Sequence, residues 1–253
     1  MKGFVIKHFK SVFFLMILPY LPFALLSIYN LDIKHVLLQM SLLINIVDPN
    51  SINPGVFWFF GLIIQFYVLF ALLRTIKSRK YLSVVLILLN VISIACLVVL
   101  KNDTPILNWA RHNCIGWLLP FSMGLWCAYS SKWSVLFDTW WKNLLWVVIG
   151  GLLVVLSNLN YYLWMFGPVV AIFAAIGLAR IIKNIRVVDS ACIGLGSLSA
   201  FIFAIHPLVR FLCQKICMSE MDRLPYLLGY ISVTLVLSIV YRYIHKRFLS
   251  VWL

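Results

Sequence analysis

Apolar residues come along this chain in eight long runs, and none of the runs contains an Asp or Glu. They cover residues 12–29, 56–73, 81–100, 114–129, 143–160, 161–179, 192–209 and 224–241. A helix rises about 1.5 Å per residue, so about 20 apolar residues cross a bilayer. The runs lack the apolar–polar alternation of barrel strands, and a helix satisfies its own backbone in lipid. The pattern predicts an all-α, polytopic transmembrane helical bundle of about eight spans. Residues 1–253 read as a single integral membrane domain, with no linker and no internal repeat of fixed period. The first run follows basic residues as a signal peptide would, but Pro19 and Pro22 interrupt it and no A-x-A-like site follows. It is expected to stay as the first helix.

Between the first two runs lies a longer polar-flanked segment, residues 30–55. Ile33, Val36, Leu37, Met40, Leu43 and Ile44 recur there with helical period. An interfacial helix is expected, ended by the turn chemistry of Asp48, Pro49, Asn50, Asn53, Pro54 and Gly55. Thr104 followed by Pro105 predicts a helix start near Pro105.

Composition adds weight to the membrane reading. The 253 residues are 64% hydrophobic and 11% charged, well outside the usage of soluble domains. Charge then supplies an orientation. With a cytoplasmic N-terminus, the inner segments hold Lys2, Lys7, Lys10, Arg74, Lys77, Arg79, Lys80, Lys132, Lys142, Arg180, Lys183, Arg186, Arg242, Lys246 and Arg247. The outer side holds only Lys34, Lys101, Arg111, Arg210, Lys215 and Arg223. This bias follows the positive-inside rule and places both termini in the cytoplasm. The net charge of +14 is therefore a topology signal; its short scattered clusters do not suit a nucleic-acid surface.

Candidate chemistry is sparse. The six cysteines sit mostly in apolar runs as small hydrophobes, and no His/Cys spacing suggests a metal site. Tyr161, Tyr162, Trp133, Trp140, Trp141 and Trp164 read as an interfacial belt. Without a carboxylate inside a run, a proton relay of the transporter kind is disfavoured, and histidine is the natural base at neutral pH. Ser199, His206 and Arg210 stand at i, i+7 and i+11, one face of a helix. Pro207 removes a donor and leaves the carbonyl of Phe203 without its usual partner, so a kink is expected at the histidine. An imidazole and a guanidinium on one face of a span point to a functional site in its outer half. The alternative is that a neighbouring helix satisfies His206 while Arg210 snorkels to the interface. Trp109, Arg111 and His112 form a second cluster; Arg111 could fork a phosphate, carboxylate or sugar hydroxyl, or be an interfacial anchor. Trp58, Gly61 and Gln65 share a face of the second run, with Tyr67 on another. Gln65 and Asn90 need partners inside a span, and packing is their plainer role.

Several stretches resemble motifs of membrane acyltransferase family 3. Pro54-Gly55-Val56-Phe57-Trp58-Phe59-Phe60-Gly61, followed by Gln65-Phe66-Tyr67, is similar to its "LWFL…Y" helix. Trp117-Leu118-Leu119-Pro120-Phe121-Ser122-Met123-Gly124 resembles its "FxxG" helix. Ser197-Leu198-Ser199-Ala200-Phe201-Ile202-Phe203-Ala204-Ile205-His206-Pro207-Leu208 resembles its late "S-x-x-x-Y/F-x-x-H-P" helix, and residues 7–20 its third-helix opening. The order and spacing hold over nearly the whole chain. The resemblance implies transfer of an acyl group, usually acetyl, from acyl-CoA to a hydroxyl of an extracytoplasmic sugar or polysaccharide. It implies a multi-pass protein of the inner (plasma) membrane acting in surface polysaccharide O-acetylation and the cell envelope. It needs no metal; its donor is acyl-CoA (acetyl-CoA), and its partners are the lipid bilayer and a surface glycan acceptor. The residues' own pattern keeps His206 as the candidate base, with Arg111, Arg210, Ser199, Trp58, Gln65 and Tyr67 as candidate substrate-binding residues. The resemblance implies about ten helices; the first two, which carry an Arg…His pair whose histidine is the family's catalytic base, have no counterpart here. The chain thus reads as N-terminally truncated relative to the family, with a further segment or subunit expected to supply them. A non-catalytic polysaccharide transport or assembly component and an inactive acyltransferase fragment remain open readings.

Overall fold

The computed structural model describes residues 2–26, 32–52, 55–99, 104–129, 131–159, 163–183, 185–216 and 223–252. Tyr161 and Tyr162, singled out in the sequence, lie outside them, as do Cys217, Lys101 of the expected outer side, and Asn53 and Pro54 of the expected turn. The described residues fold into eleven α-helices joined by short 3-10 turns, with no strand among them. In chain order these are α1 (Lys2–Leu26), α2 (Ile33–Met40), α3 (Ile44–Val47), α4 (Trp58–Leu73), α5 (Arg79–Val99) and α6 (Thr104–Arg111), followed by α7 (Leu118–Tyr129), α8 (Trp140–Leu159), α9 (Gly167–Ile182), α10 (Arg186–Ile216) and α11 (Arg223–Trp252).

Six of the expected spans fall on helices long and apolar enough to cross a membrane: α1, α4 with its 3-10 lead-in, α5, α8, α10 and α11. The other two runs form α7 and α9, apolar helices of 12 and 16 residues. This is an all-α, multi-pass architecture. Its surface is turned inside out relative to a soluble protein. On α5 Leu82, Leu86, Ser93 and Leu97 are buried at helical spacing, while Ile87, Leu88, Val91 and Ile92 are exposed. On α8 Leu145, Val148, Leu152, Val155 and Leu159 are exposed. Faces of that kind suit the hydrocarbon of a bilayer.

The chain divides into two compact units, one of residues 1–71 and 194–253, the other of residues 72–193. In the first, Met16, Tyr20, Phe60, Ala204 and Val209 form a nearly solvent-free core with Phe23, Phe57 and Tyr241. Edge-to-face aromatic pairs run through it: Tyr20 on Phe57, Phe57 on Phe60, Phe23 on Phe211 and Phe59 on Phe203, with centroids 4.8–5.5 Å apart. The expected interfacial segment is α2 and α3. Asp32 caps α2 by accepting from the Lys34 amide at 3.1 Å. Ile33, Leu37, Ile46 and Val47 are exposed beside buried Leu42 and Ile44. Asp48 closes the segment. The Ser51 hydroxyl, donating at 2.5 Å, is the main reason its carboxyl is held below its ordinary range, with nearby His35 adding to the effect.

In the second unit helices meet through small residues. A Cβ on Gly150 would stand 2.8 Å from the Ala174 Cβ, and one on Gly177 would stand 2.7 Å from the Asn143 carbonyl oxygen. These glycines let α8 and α9 approach backbone to backbone, the usual solution where lipid supplies no hydrophobic drive between helices.

Candidate functional site

Helix α10 runs unbroken through Pro207. Proline lacks the N–H that would reach the carbonyl of residue i−4, so the Phe203 oxygen needs another donor. His206 supplies it: Nδ1 lies 2.9 Å from the Phe203 oxygen and 3.2 Å from that of Ile202. A carbonyl only accepts, so in the neutral ring the proton sits on Nδ1 and the lone pair on Nε2. The helix defect and the histidine together assign the tautomer a base needs. The ring is half-buried, tilted against Phe203 at 5.7 Å, and beside it Ala204, Ile205, Leu208 and Val209 are buried. Arg210, one turn on, is exposed.

The third member of that face behaves differently. Ser199 is exposed, and its hydroxyl donates to the Gly196 carbonyl at 2.8 Å. It stands roughly 10 Å along the axis from His206, at about 1.5 Å per residue. The structure therefore brings His206 and Arg210 together and leaves Ser199 at another depth. On α4 the Trp58 carbonyl accepts from the Asn45 amide at 2.5 Å, which anchors the helix start to α3. Gly61 is required there, because a Cβ would stand 2.7 Å from the Asn45 Oδ1. Gln65 is half-buried and engaged within the fold. Tyr67 packs on His8 of α1 with ring centroids 4.8 Å apart. It lies about 13 Å along α4 from Trp58, so these two residues also occupy different depths.

A polar stripe at the His8 end of this unit went unread in the sequence. Thr234, Ser238, Tyr241 and His245 are buried at spacings of four, three and four, one face of α11. The Tyr241 hydroxyl donates to the carbonyls of Leu15 at 2.7 Å and Phe14 at 3.0 Å. Leu15 is the residue four before Pro19, so the tyrosine meets the acceptor that this proline orphans. His245 Nε2 lies 3.4 Å from the Ser11 carbonyl, and Arg242 donates to the Ser197 hydroxyl at 2.9 Å. A second unread residue is Gln39 on α2. It is 2% exposed, and neither amide atom has a hydrogen-bond partner among the described residues. A buried unpaired amide calls for an explanation, and a ligand is one.

Arg111 belongs to the second unit. Its guanidinium lies over the Trp164 ring, 5.2 Å from the centroid, a cation–π contact. Trp117 Nε1 donates to the Arg111 carbonyl at 2.6 Å, and the Trp117 and Trp164 rings are 5.8 Å apart. Gly116 makes this possible: a Cβ would stand 2.5 Å from the Ala110 oxygen and 2.6 Å from the Trp164 ring. His112 turns back to the Asn108 carbonyl at 2.8 Å. Arg111 thus rests, half-buried, against an aromatic wall. Among the described residues no three His, Cys, Asp or Glu gather in a metal-binding group.

The sequence motifs now have places: the Trp58–Tyr67 motif on α4, the Trp117–Gly124 motif at the start of α7, and the His206-Pro207 motif on α10. The family model of the acyltransferase domain, of family 3, matches residues 1–243. The chain belongs to acyltransferase family 3. It is a multi-pass membrane acyltransferase. Comparison with curated proteins and with solved structures returned no match.

Proposed function

We propose that this acyltransferase moves an acyl group, in the simplest case acetyl, from acyl-CoA to a hydroxyl of an extracytoplasmic sugar. The observation that carries this reading is the His206 ring, tied by Nδ1 to the carbonyl that Pro207 orphans. Nε2 would take the proton of the acceptor hydroxyl as its oxygen attacks the thioester carbonyl. The C–S bond then breaks, the CoA thiolate leaves and takes up a proton, and the ester stays on the sugar. Arg210, on the same face one turn away, suits a sugar hydroxyl or the developing oxyanion. The buried Gln39 amide offers a donor and an acceptor to further hydroxyls. In the other unit, taken by itself, Arg111 over Trp164 pairs a guanidinium with an aromatic face, a pairing suited to sugars. The basic segments that the charge bias assigns to the cytoplasm suit the phosphates of CoA. Surface glycan O-acetylation at the inner membrane is the setting in which such a donor and acceptor meet.

The test is acetyl content of the host's surface glycan, measured by NMR in cells carrying the chain, His206→Gln or Arg210→Gln. Loss of glycan acetylation with unchanged protein levels is expected for both. Full acetylation with His206→Gln would reject the site. Absence of acyl-CoA photo-crosslinking to the purified chain would favour a non-catalytic membrane role.

A further inference from the structure

Helices α5 and α7 leave between them a cavity of about 290 Å³, lined by Leu86, Ile87, Val91, Leu119, Met123 and Trp126. Ile87, Val91 and Trp126 are more than half exposed, so the cavity opens sideways along its length. Its two central polar side chains face each other: Asn90 Nδ2 donates to the Ser122 hydroxyl at 2.7 Å and to the Leu86 carbonyl at 2.7 Å. That staple holds the two helices together behind an apolar wall. The volume equals about ten waters at roughly 30 Å³ each, and most of its lining is apolar. From Ser83 to Ile94 the lining advances about 16 Å along α5, close to the half-thickness of a hydrocarbon core about 30 Å deep.

One end of the groove is basic. A smaller hollow of about 70 Å³ adjoins it, sharing Ser83, Leu86 and Trp126 and adding Arg79 and Tyr129. Arg79 belongs to the run Arg74, Lys77, Arg79 and Lys80, which holds no acid, and all four are exposed. A tyrosine, a tryptophan and a cation at a span end mark the headgroup level.

We propose that this groove is a binding site for one anionic phospholipid, its acyl chain along α5 and its phosphate on Arg79. Length, lateral opening and the cationic mouth each fit that occupant, and the bilayer delivers it sideways. The groove uses neither His206, Arg210 nor Arg111; its Arg79 mouth belongs to one of the basic segments proposed above for CoA phosphates, so the test includes palmitoyl-CoA as a competitor.

The full chain would be reconstituted in nanodiscs with photoactivatable phosphatidylglycerol or phosphatidylcholine, diazirine on the acyl chain, and the labelled peptides mapped. Phosphatidylglycerol label should concentrate on residues 83–94 and 119–126. Arg79→Gln should lower it about fivefold, the effect of one cation at an anionic headgroup, to the phosphatidylcholine level. Ile87→Trp, which fills the groove from its open side, should remove the label, while Leu152→Trp on the exposed face of α8 should not. Should Ile87→Trp fail to fold, Val91→Trp serves, and Arg79→Gln tests the headgroup contact alone. Label spread evenly over the apolar helices, or equal for the two lipids in the natural chain, would overturn the proposal. So would displacement of phosphatidylglycerol by palmitoyl-CoA, which would make the groove a donor site.

Discussion

The two units hold their helices together by different means, and the difference bears on where chemistry can arise. Residues 72–193 rely mainly on close approach, with Gly150 against Ala174, Gly177 against the Asn143 carbonyl and Gly116 beneath Trp164; their polar staple, Asn90 to Ser122, involves no proline-orphaned carbonyl. The unit formed by residues 1–71 and 194–253 uses prolines and polar side chains. There Pro19 and Pro207 each orphan a carbonyl, and each is answered in its own way. The Leu15 oxygen accepts from Tyr241, which stands 226 positions later, so that bond joins α11 to α1. The Phe203 oxygen accepts from His206 on the same helix, so that bond orients a ring and joins nothing. A cross-helix donor makes a joint, whereas a local donor makes a positioned imidazole. Small-residue packing offers neither.

That contrast can be broken most sharply at the histidine. His206→Gln should lower acyl transfer by about 10²–10⁴-fold, the range for losing a general base, with thermal unfolding in detergent unchanged. A joint would behave in the opposite way. Tyr241→Phe should cost about 1–3 kcal/mol, the penalty of a buried acceptor left unpaired, read as a lower unfolding midpoint while turnover of the surviving protein is kept. Loss of turnover without loss of stability would put Tyr241 in the site. Pro207→Ala gives the Phe203 oxygen a backbone donor again. The helix should become more stable and turnover should fall modestly as the imidazole shares its acceptor; unchanged turnover would mean that another contact orients the ring.

The smallest effect is expected in the loop after α3. Asp48 has a lowered folded pKa, chiefly through the Ser51 hydroxyl. Its contribution is fully present above the ordinary carboxylate pKa and is lost as pH falls through the lower folded value. Hydrogen exchange of residues 44–52 should therefore quicken only in acid, and Ser51→Ala should move that onset to higher pH. An onset unaffected by the substitution would remove Ser51 as the cause.

Much of the candidate site was legible because its logic is local. The orphaned Phe203 carbonyl follows from Pro207 alone, and the shared face of His206 and Arg210 follows from helical period. Ser199 satisfied the same period but not the same depth, since a period of 3.6 fixes direction and leaves distance along the axis free. His8 against Tyr67, Tyr241 against Leu15 and the buried Gln39 amide were not legible. Each depends on which helices become neighbours, and apolar faces in lipid carry little information about that.

The sequence by itself determined the membrane, the helices, the charge bias and the family. Transfer of apolar residues and exclusion of charge are properties of each segment taken singly. The tertiary structure alone decided which carbonyl met which donor, which glycine met which backbone, and where α5 and α7 left an open apolar groove. Those contacts are set by packing between segments far apart in the chain, for which no one-dimensional pattern substitutes.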